Sequence, residues 1–200
     1  MTVPSDDLVP QAGAPNAAQE AALQSTSPTI GTVTSVNISA RKGTRKTPLE
    51  SGTARILIGS GVEGDAHAGD WHRQVSFLAE ESIEKARGMG LDVKQGDFAE
   101  NITTEGIDLP AIPVGTQLRV GDAEVEISQI GKVCHTRCAI YHLAGDCIFP
   151  REGIFSVVRK EGAVKVGDPI EVLKWGTGSC DATPPEALAE VEAARAAGTL

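Results

Sequence analysis

The stretch GKVCHTRCAIYHLAGDCIFPREGIF, Gly131 to Phe155, places three of the chain's four cysteines, two of its four histidines and three basic residues within 25 positions. Cys134 and Cys138 are four apart, so their thiols point the same way on a strand of period two or on adjacent turns of a helix. Such a pair can serve four chemistries. With Cys147 and His135 or His142 it could complete a four-ligand zinc site, although the paired two-residue spacings of most structural zinc sites are missing. It could close a disulfide or pack as inert buried sulfur. It could also present a thiolate as nucleophile or metal ligand, with Lys132, Arg137 and Arg151 supplying positive surroundings.

Three further constellations carry chemistry. In GVEGDAHAGDWHRQVSFL, Asp65, His67, Asp70 and His72 alternate with glycines and Arg73 follows at once. Asp65, His67 and His72 could ligate a metal, or the glycine-rich loop could receive an anion beside Arg73 where it leads into a helix. In ISARKGTRKTP, Arg41, Lys42, Arg45 and Lys46 surround Gly43, either as a solvated charged loop or as a clamp for a phosphate. In GDFAENITTEGIDL, Asn101, Thr103 and Thr104 offer neutral hydrogen-bonding groups suited to orienting a polar ring or a phosphate.

The elements that must position these residues read as mainly β. TIGTVTSVNIS, TARILIG, TQLRVG, AEVEISQIG, IFSVVRK and AVKVGDPIEVL are short runs rich in β-branched residues. Gly-Asp dipeptides at 64, 69, 96, 121, 145 and 167 punctuate them as turns, because Gly accepts positive φ and Asp caps its own backbone. AEVEISQI alternates, with Val125, Ile127 and Gln129 on one face, so the cysteines follow a strand end. One internal helix is predicted over FLAEESIEKARGMG with Ser76 as its cap, Glu80 and Glu81 early, and Lys85 and Arg87 late. A second helix, TPPEALAEVEAARAAG, is expected as a loosely attached tail. The pattern predicts a mainly β, closed or partly closed barrel over 29–174. A disordered tail is expected over 1–28, where Ala, Pro, Gln and Ser dominate, and a linker with a helical tail over 175–200.

Composition narrows the function. The formal net charge of -9 and a pI near 4.9 oppose broad binding to nucleic acid or anionic membrane, so an anionic ligand has to be held by a local cluster. Aromatic residues are 4% of the chain, too few for base-stacking platforms. No apolar run approaches a membrane span, and the opening residues lack the basic and apolar regions of a signal peptide. A cytoplasmic protein with reduced thiols is expected.

Taken in order, GVEGDAHAGDWHRQVSFLAEESI, GDFAENITTEGIDL, the cysteine stretch and GAVKVGDPIEVL resemble the MOSC domain, the family named for the carboxy-terminal domain of molybdenum-cofactor sulfurase. The chain is most similar to its small stand-alone bacterial members. The resemblance implies a β-rich barrel that binds the molybdenum cofactor, a phosphorylated pterin whose dithiolene holds the metal. It also implies a protein cysteine as a further sulfur ligand. TRC resembles the SRC of the reductases in this superfamily, which makes Cys138 the first choice and Cys134 the second. Under this reading Arg41, Lys42, Arg45 and Lys46 hold the phosphate. Arg73, Asn101 and Thr103 orient the pterin, and His67, His135 and Arg137 complete the cofactor site. The chain has no room for a pyridoxal-phosphate desulfurase module. The resemblance leaves two roles: an oxo-transfer reductase of N-hydroxylated compounds fed by an electron-donor reductase, or a carrier of cofactor or persulfide sulfur working with cofactor-biosynthesis proteins.

Overall fold

The computed structural model describes residues 28–134, 141 and 147–200. Cys138, His135, Arg137, His142 and the predicted N-terminal tail up to residue 27 lie outside the described residues.

Eleven strands build the domain: β1 (Thr29–Ile38), β2 (Thr47–Pro48), β3 (Thr53–Leu57), β4 (Gly61–Val62), β5 (Val75–Ala79), β6 (Ile102–Glu105), β7 (Gln117–Val120), β8 (Ala123–Ile130), β9 (Ile154–Lys160), β10 (Gly162–Lys165) and β11 (Pro169–Lys174). Three helices accompany them among the described residues: α1 (Glu80–Gly88), the single turn α2 (Phe149–Glu152) and α3 (Pro185–Ala196). The order β11-β7-β8-β9-β5-β6-β1, with β1 also pairing β11, closes a seven-stranded barrel. Closure removes the unpaired strand edges that would invite aggregation. β10, β3 and β4 form a small separate sheet. The barrel expected from the sequence is present.

All barrel pairings are antiparallel except β5 with β6, and α1 is the crossover that a parallel pair requires. Val33, Phe77, Ile102, Leu118, Val125, Ile127, Ile154 and Ile170 pack inside, each 1% exposed or less. A second apolar cluster lies outside the wall, where Ile83 and Ala86 of α1 meet Leu78, Phe98, Phe149 and Phe155. Phe149 and Phe155 contact edge to face at 5.8 Å.

The predicted Ser76 cap is corrected. Ser76 lies inside β5, α1 starts at Glu80, and its cap residue Ala79 makes no side-chain cap bond. The physical reason is that β5 is buried along its whole length, between the barrel interior and the outer cluster. A strand covered on both faces reads as a continuous apolar run and carries no alternation to mark it. The C-terminal helix is also docked rather than loose. Val191 is buried on it, as are Cys180 and Thr183 in the segment leading to it. Thr183 Oγ1 donates to Ser128 O at 2.7 Å, and Arg195 Nη2 donates to Ile130 O at 3.1 Å. Among the described residues no helix is long and apolar enough to cross a membrane.

The Gly-Asp turns work as the sequence proposes at Gly64, Gly96, Gly121 and Gly167, whose φ values are all positive. Asp97 Oδ2 accepts from Lys94 N–H and Asp168 Oδ2 from Lys165 N–H, so these aspartates bind their own turns. Gly96 is the most constrained. Its φ is +85°, and a Cβ there would sit 2.3 Å from Lys46 O, part of the backbone it holds through the Lys46 N–H to Gly96 O bond of 2.8 Å. Gly96→Ala combines a left-handed strain with a backbone clash and is expected to lower unfolding stability by roughly 1–3 kcal/mol. Urea denaturation measures it, and an unchanged midpoint would contradict the packing described here.

Candidate functional site

At one end of the barrel several loops meet around an open cleft of about 250 Å³. The basic loop after β1 contributes Lys46, and the glycine-rich loop before β5 contributes His67, Trp71 and Arg73. Ser76 on β5, Ala99 and Asn101 before β6, Lys132 after β8, and Phe149 and Phe155 from α2 and β9 complete the lining. Segments far apart in sequence are brought together because their strands are neighbours in the order β8-β9-β5-β6-β1.

A buried ion pair forms the floor. Lys46 Nζ donates to Asp65 Oδ2 at 2.7 Å, and both side chains are 2% exposed. Asp65 also accepts from Ser39 N–H at 3.0 Å and His67 N–H at 3.1 Å, so one carboxylate fixes the end of β1, the basic loop and the glycine-rich loop. Burial pushes the Asp65 carboxyl up, but His67, Lys46 and the Ser39 N–H outweigh it and hold it well below the usual carboxylate range. Burial lowers the Lys46 ammonium, against the opposing pull of Asp65 and Glu100.

Glu100 lies beneath, fully buried. Its Oε1 accepts from Gly96 N–H and Thr103 Oγ1, while its Oε2 is buried with no partner. Burial pushes its carboxyl up to about 7, against these hydrogen bonds. Thr103, expected at the cofactor, is fully buried under the cleft, where it accepts from Asn37 Nδ2 at 3.2 Å and serves the Glu100 network. Asn101 does reach the cleft wall, but Ser76 N–H and Ser76 Oγ donate to its Oδ1, and its Nδ2 donates to Asn37 O. It fixes β5 against the loop before β6.

Arg73 differs from these satisfied groups. Its guanidinium stacks over Trp71 at 4.7 Å and Phe155 at 5.5 Å, and its Nε is buried without a hydrogen-bond partner. Among the described residues no carboxylate lies within ion-pair distance of it. Burial lowers its pKa, while the charges of Glu190 and Cys134 raise it. Lys132 stacks over Phe149 at 5.1 Å on the same cleft. His67 Nδ1 is 3.6 Å from Asp65 Oδ2, too long for a hydrogen bond, and is also buried without a partner. Ala99, in left-handed conformation with φ of 67°, is the one non-glycine of that kind among the described residues and lies on the cleft wall.

The other predicted residues divide. Arg41 and Lys42 are exposed on their loop, outside the cleft lining. Arg45 is half exposed and pairs with Asp97 at 3.2 Å, so it braces the Gly96 turn. The possible metal set of Asp65, His67 and His72 is not gathered: Asp65 engages Lys46, and His72 Nε2 meets Gln129 Oε1 at 2.8 Å. Donor atoms of Glu126, Cys180 and Asp181 do lie within 4.8 Å of one another, but Arg159 bonds both carboxylates and offsets part of their charge.

The cysteines separate. Cys134, four residues past the end of β8, is exposed and opens onto an adjoining cavity of about 540 Å³, which Cys147 also touches. Cys147 is buried in the outer apolar cluster. Sequence reasoning placed Lys132 only as a neighbour of the thiols and overlooked Trp71, Phe149 and Phe155. In a chain with 4% aromatics, a tryptophan inside HAGDWHRQ was the available signal.

Two substitutions test this floor. Asp65→Ala strands a buried ammonium and is expected to cost about 3–5 kcal/mol in urea unfolding, partly recovered by adding Lys46→Met. For Glu100, the folded carboxyl titrates near 7 against 4.5 unfolded. The folded state therefore holds the proton more tightly, and stability falls as pH rises from 4.5 through 7, with the loss complete above that point. Glu100→Gln should flatten that slope in pH-dependent denaturation; an identical slope would remove Glu100 from the account.

The fold recurs in solved structures. The YuaD protein from Bacillus subtilis superposes with a TM-score of 0.59 at 19% identity, covering 71% of this chain and 94% of that one. YiiM from Escherichia coli gives 0.55 at 20% identity, covering 80% and 76%. YiiM from Geobacillus stearothermophilus gives 0.53 at 20% identity, covering 75% and 76%. No curated protein matches the chain. The sequence profile of the MOSC domain matches residues 64–171, which run from the glycine-rich loop through the cleft and the cysteine stretch into β11. The chain belongs to the MOSC domain family, a family associated with the molybdenum cofactor.

Proposed function

We propose that this chain binds the molybdenum cofactor with its phosphorylated end in the Lys46–Arg73–Lys132 cleft and a thiolate from the loop after β8 at its metal end. The observation that carries the reading is the set of three cations lining one cleft of a protein with net charge -9, with Arg73 Nε buried and unpartnered. A cation held against two aromatic rings, with no carboxylate within ion-pair distance among the described residues, is suited to a dianionic phosphate. The donor set fits the group, because hard cationic donors line the cleft and soft sulfur is present on the adjoining loop.

Arg73 and Lys132 would pair with the phosphate. The Lys46 ammonium, compensated by Asp65, would add a fixed donor direction and little net charge. Asn101, Ser76 and the strained Ala99 turn would shape the wall against the ring. His67 Nδ1, buried and unpartnered, would take a ring or phosphate hydrogen bond. Cys134 is the described thiol closest to this arrangement in sequence and in electrostatic effect, since its charge acts on Arg73. Cys138 remains the preferred metal ligand from the sequence match.

When bound, the cofactor's metal supplies two-electron removal of an oxygen atom. The reaction that follows is reduction of an N-hydroxylated compound, R₂N–OH + 2e⁻ + 2H⁺ → R₂NH + H₂O, with the electrons delivered by a partner reductase. Purified protein carrying cofactor, given an artificial electron donor, is expected to reduce an N-hydroxylated base. Arg73→Ala should lower cofactor occupancy, and Cys138→Ala or Cys134→Ala should remove turnover, by roughly a hundredfold or more for the true ligand. Full occupancy with no turnover on a panel of such substrates would contradict the reductase reading and favour the carrier.

A further inference from the structure

Beyond the family-matched residues 64–171, the chain folds back toward the thiol. On α3 the shielded residues Leu188, Val191 and Ala194 recur every three positions and Ala187 lies four before Val191, so one face of the helix rests on the domain while the rest stays exposed. The segment is tied to β8 at both ends. Thr183 donates to Ser128 O, and Arg195 donates to Ile130 O, on the last residue of β8. Gly131 follows, and a Cβ there would lie 2.5 Å from Pro150 O and 3.6 Å from Arg195 Nη2. α3 is therefore tied to the strand end from which Cys134 follows.

The consequence is the cavity of about 540 Å³ onto which Cys134 opens. Tyr141, Pro150 and Arg151 line it together with Ala194, Thr199 and Leu200 of the C-terminal segment. Its volume lies within the range that encloses a small organic molecule, and its lining mixes polar and apolar groups, Arg151 among them. The same helix acts electrostatically on the neighbouring cleft through Glu190, whose charge reaches Arg73.

We infer that the C-terminal segment is the specificity wall of a substrate subsite beside Cys134, shaped for a small molecule of one or two rings that carries a polar group. The inference rests on the cofactor-binding reading in placing the reacting end of the site at the thiol loop; the wall itself is a matter of this chain's own residues.

The experiment uses the full chain without cofactor and follows alkylation of Cys134 by a small reagent, iodoacetamide, and a bulky one, pyrene maleimide, mapped by peptide mass spectrometry. Ala194→Trp should slow the bulky reagent by roughly tenfold while leaving the small one within about twofold. Leu200→Ala should speed the bulky reagent several-fold, and it decides the matter if Ala194→Trp does not fold by its melting temperature. A ratio of the two rates that stays at the wild-type value would overturn the inference. Because no cofactor takes part, that failure is distinct from failure to bind a molybdenum pterin, which leaves the ratio untouched.

Discussion

The Lys46–Asp65 ion pair is the constraint on which the site depends. Two charges withdrawn from water are tolerable only if each is closely paired and hydrogen-bonded. Asp65 meets that condition with Lys46, Ser39 N–H and His67 N–H, which lie on three different segments of chain. Satisfying one carboxylate thus fixes the relative positions of the strand end, the basic loop and the glycine-rich loop. The glycine at 96 is required for the same reason, because its backbone presses directly on that of Lys46. Buried pairs of this kind are weak sources of net stability, and their value here is in the single arrangement they permit.

That arrangement determines the electrostatics of the cleft. Lys46 is largely cancelled by Asp65, so the field a ligand meets comes mainly from Arg73 and Lys132. Both lie over aromatic rings, which hold a cation in place without neutralising it as a carboxylate would. On an acidic protein such a concentrated positive spot selects for a small anion approached at close range and does not attract polyanions from a distance. Lys132 and Cys134 follow directly on the end of β8, and α3 is pinned to that same strand end.

Much of this was legible in the sequence. Strands with alternating or β-branched patterns were visible, as were the Gly-Asp turns, the glycine-rich loop that carries Arg73 to the cleft, and the position of Cys134 past a strand end. What could not be read was long-range pairing. Four cations within six positions looked like one clamp, yet folding buries Lys46 against an aspartate 19 residues away, turns Arg45 onto Asp97, and leaves Arg41 and Lys42 in solvent. Ser76 looked like a helix cap because local pattern cannot show that its strand is buried on both faces. Thr103 looked like a ligand group until its hydroxyl was found engaged between Asn37 and Glu100. The alanine-rich tail gave no sign of docking, since its contacts depend on carbonyls at the end of β8 that carry no sequence signature.

The central claim is that the cation cleft and the thiol loop together hold a phosphorylated molybdenum pterin. It is tested most directly by metal analysis and pterin fluorescence after acid oxidation, performed on one preparation of the protein purified from cells that make the cofactor. The account predicts molybdenum and pterin in equal amounts in the wild type, with both lost together in an Arg73→Ala, Lys132→Ala double variant that retains its fold. Stoichiometric zinc with no pterin, or pterin content indifferent to the two cations, would contradict it.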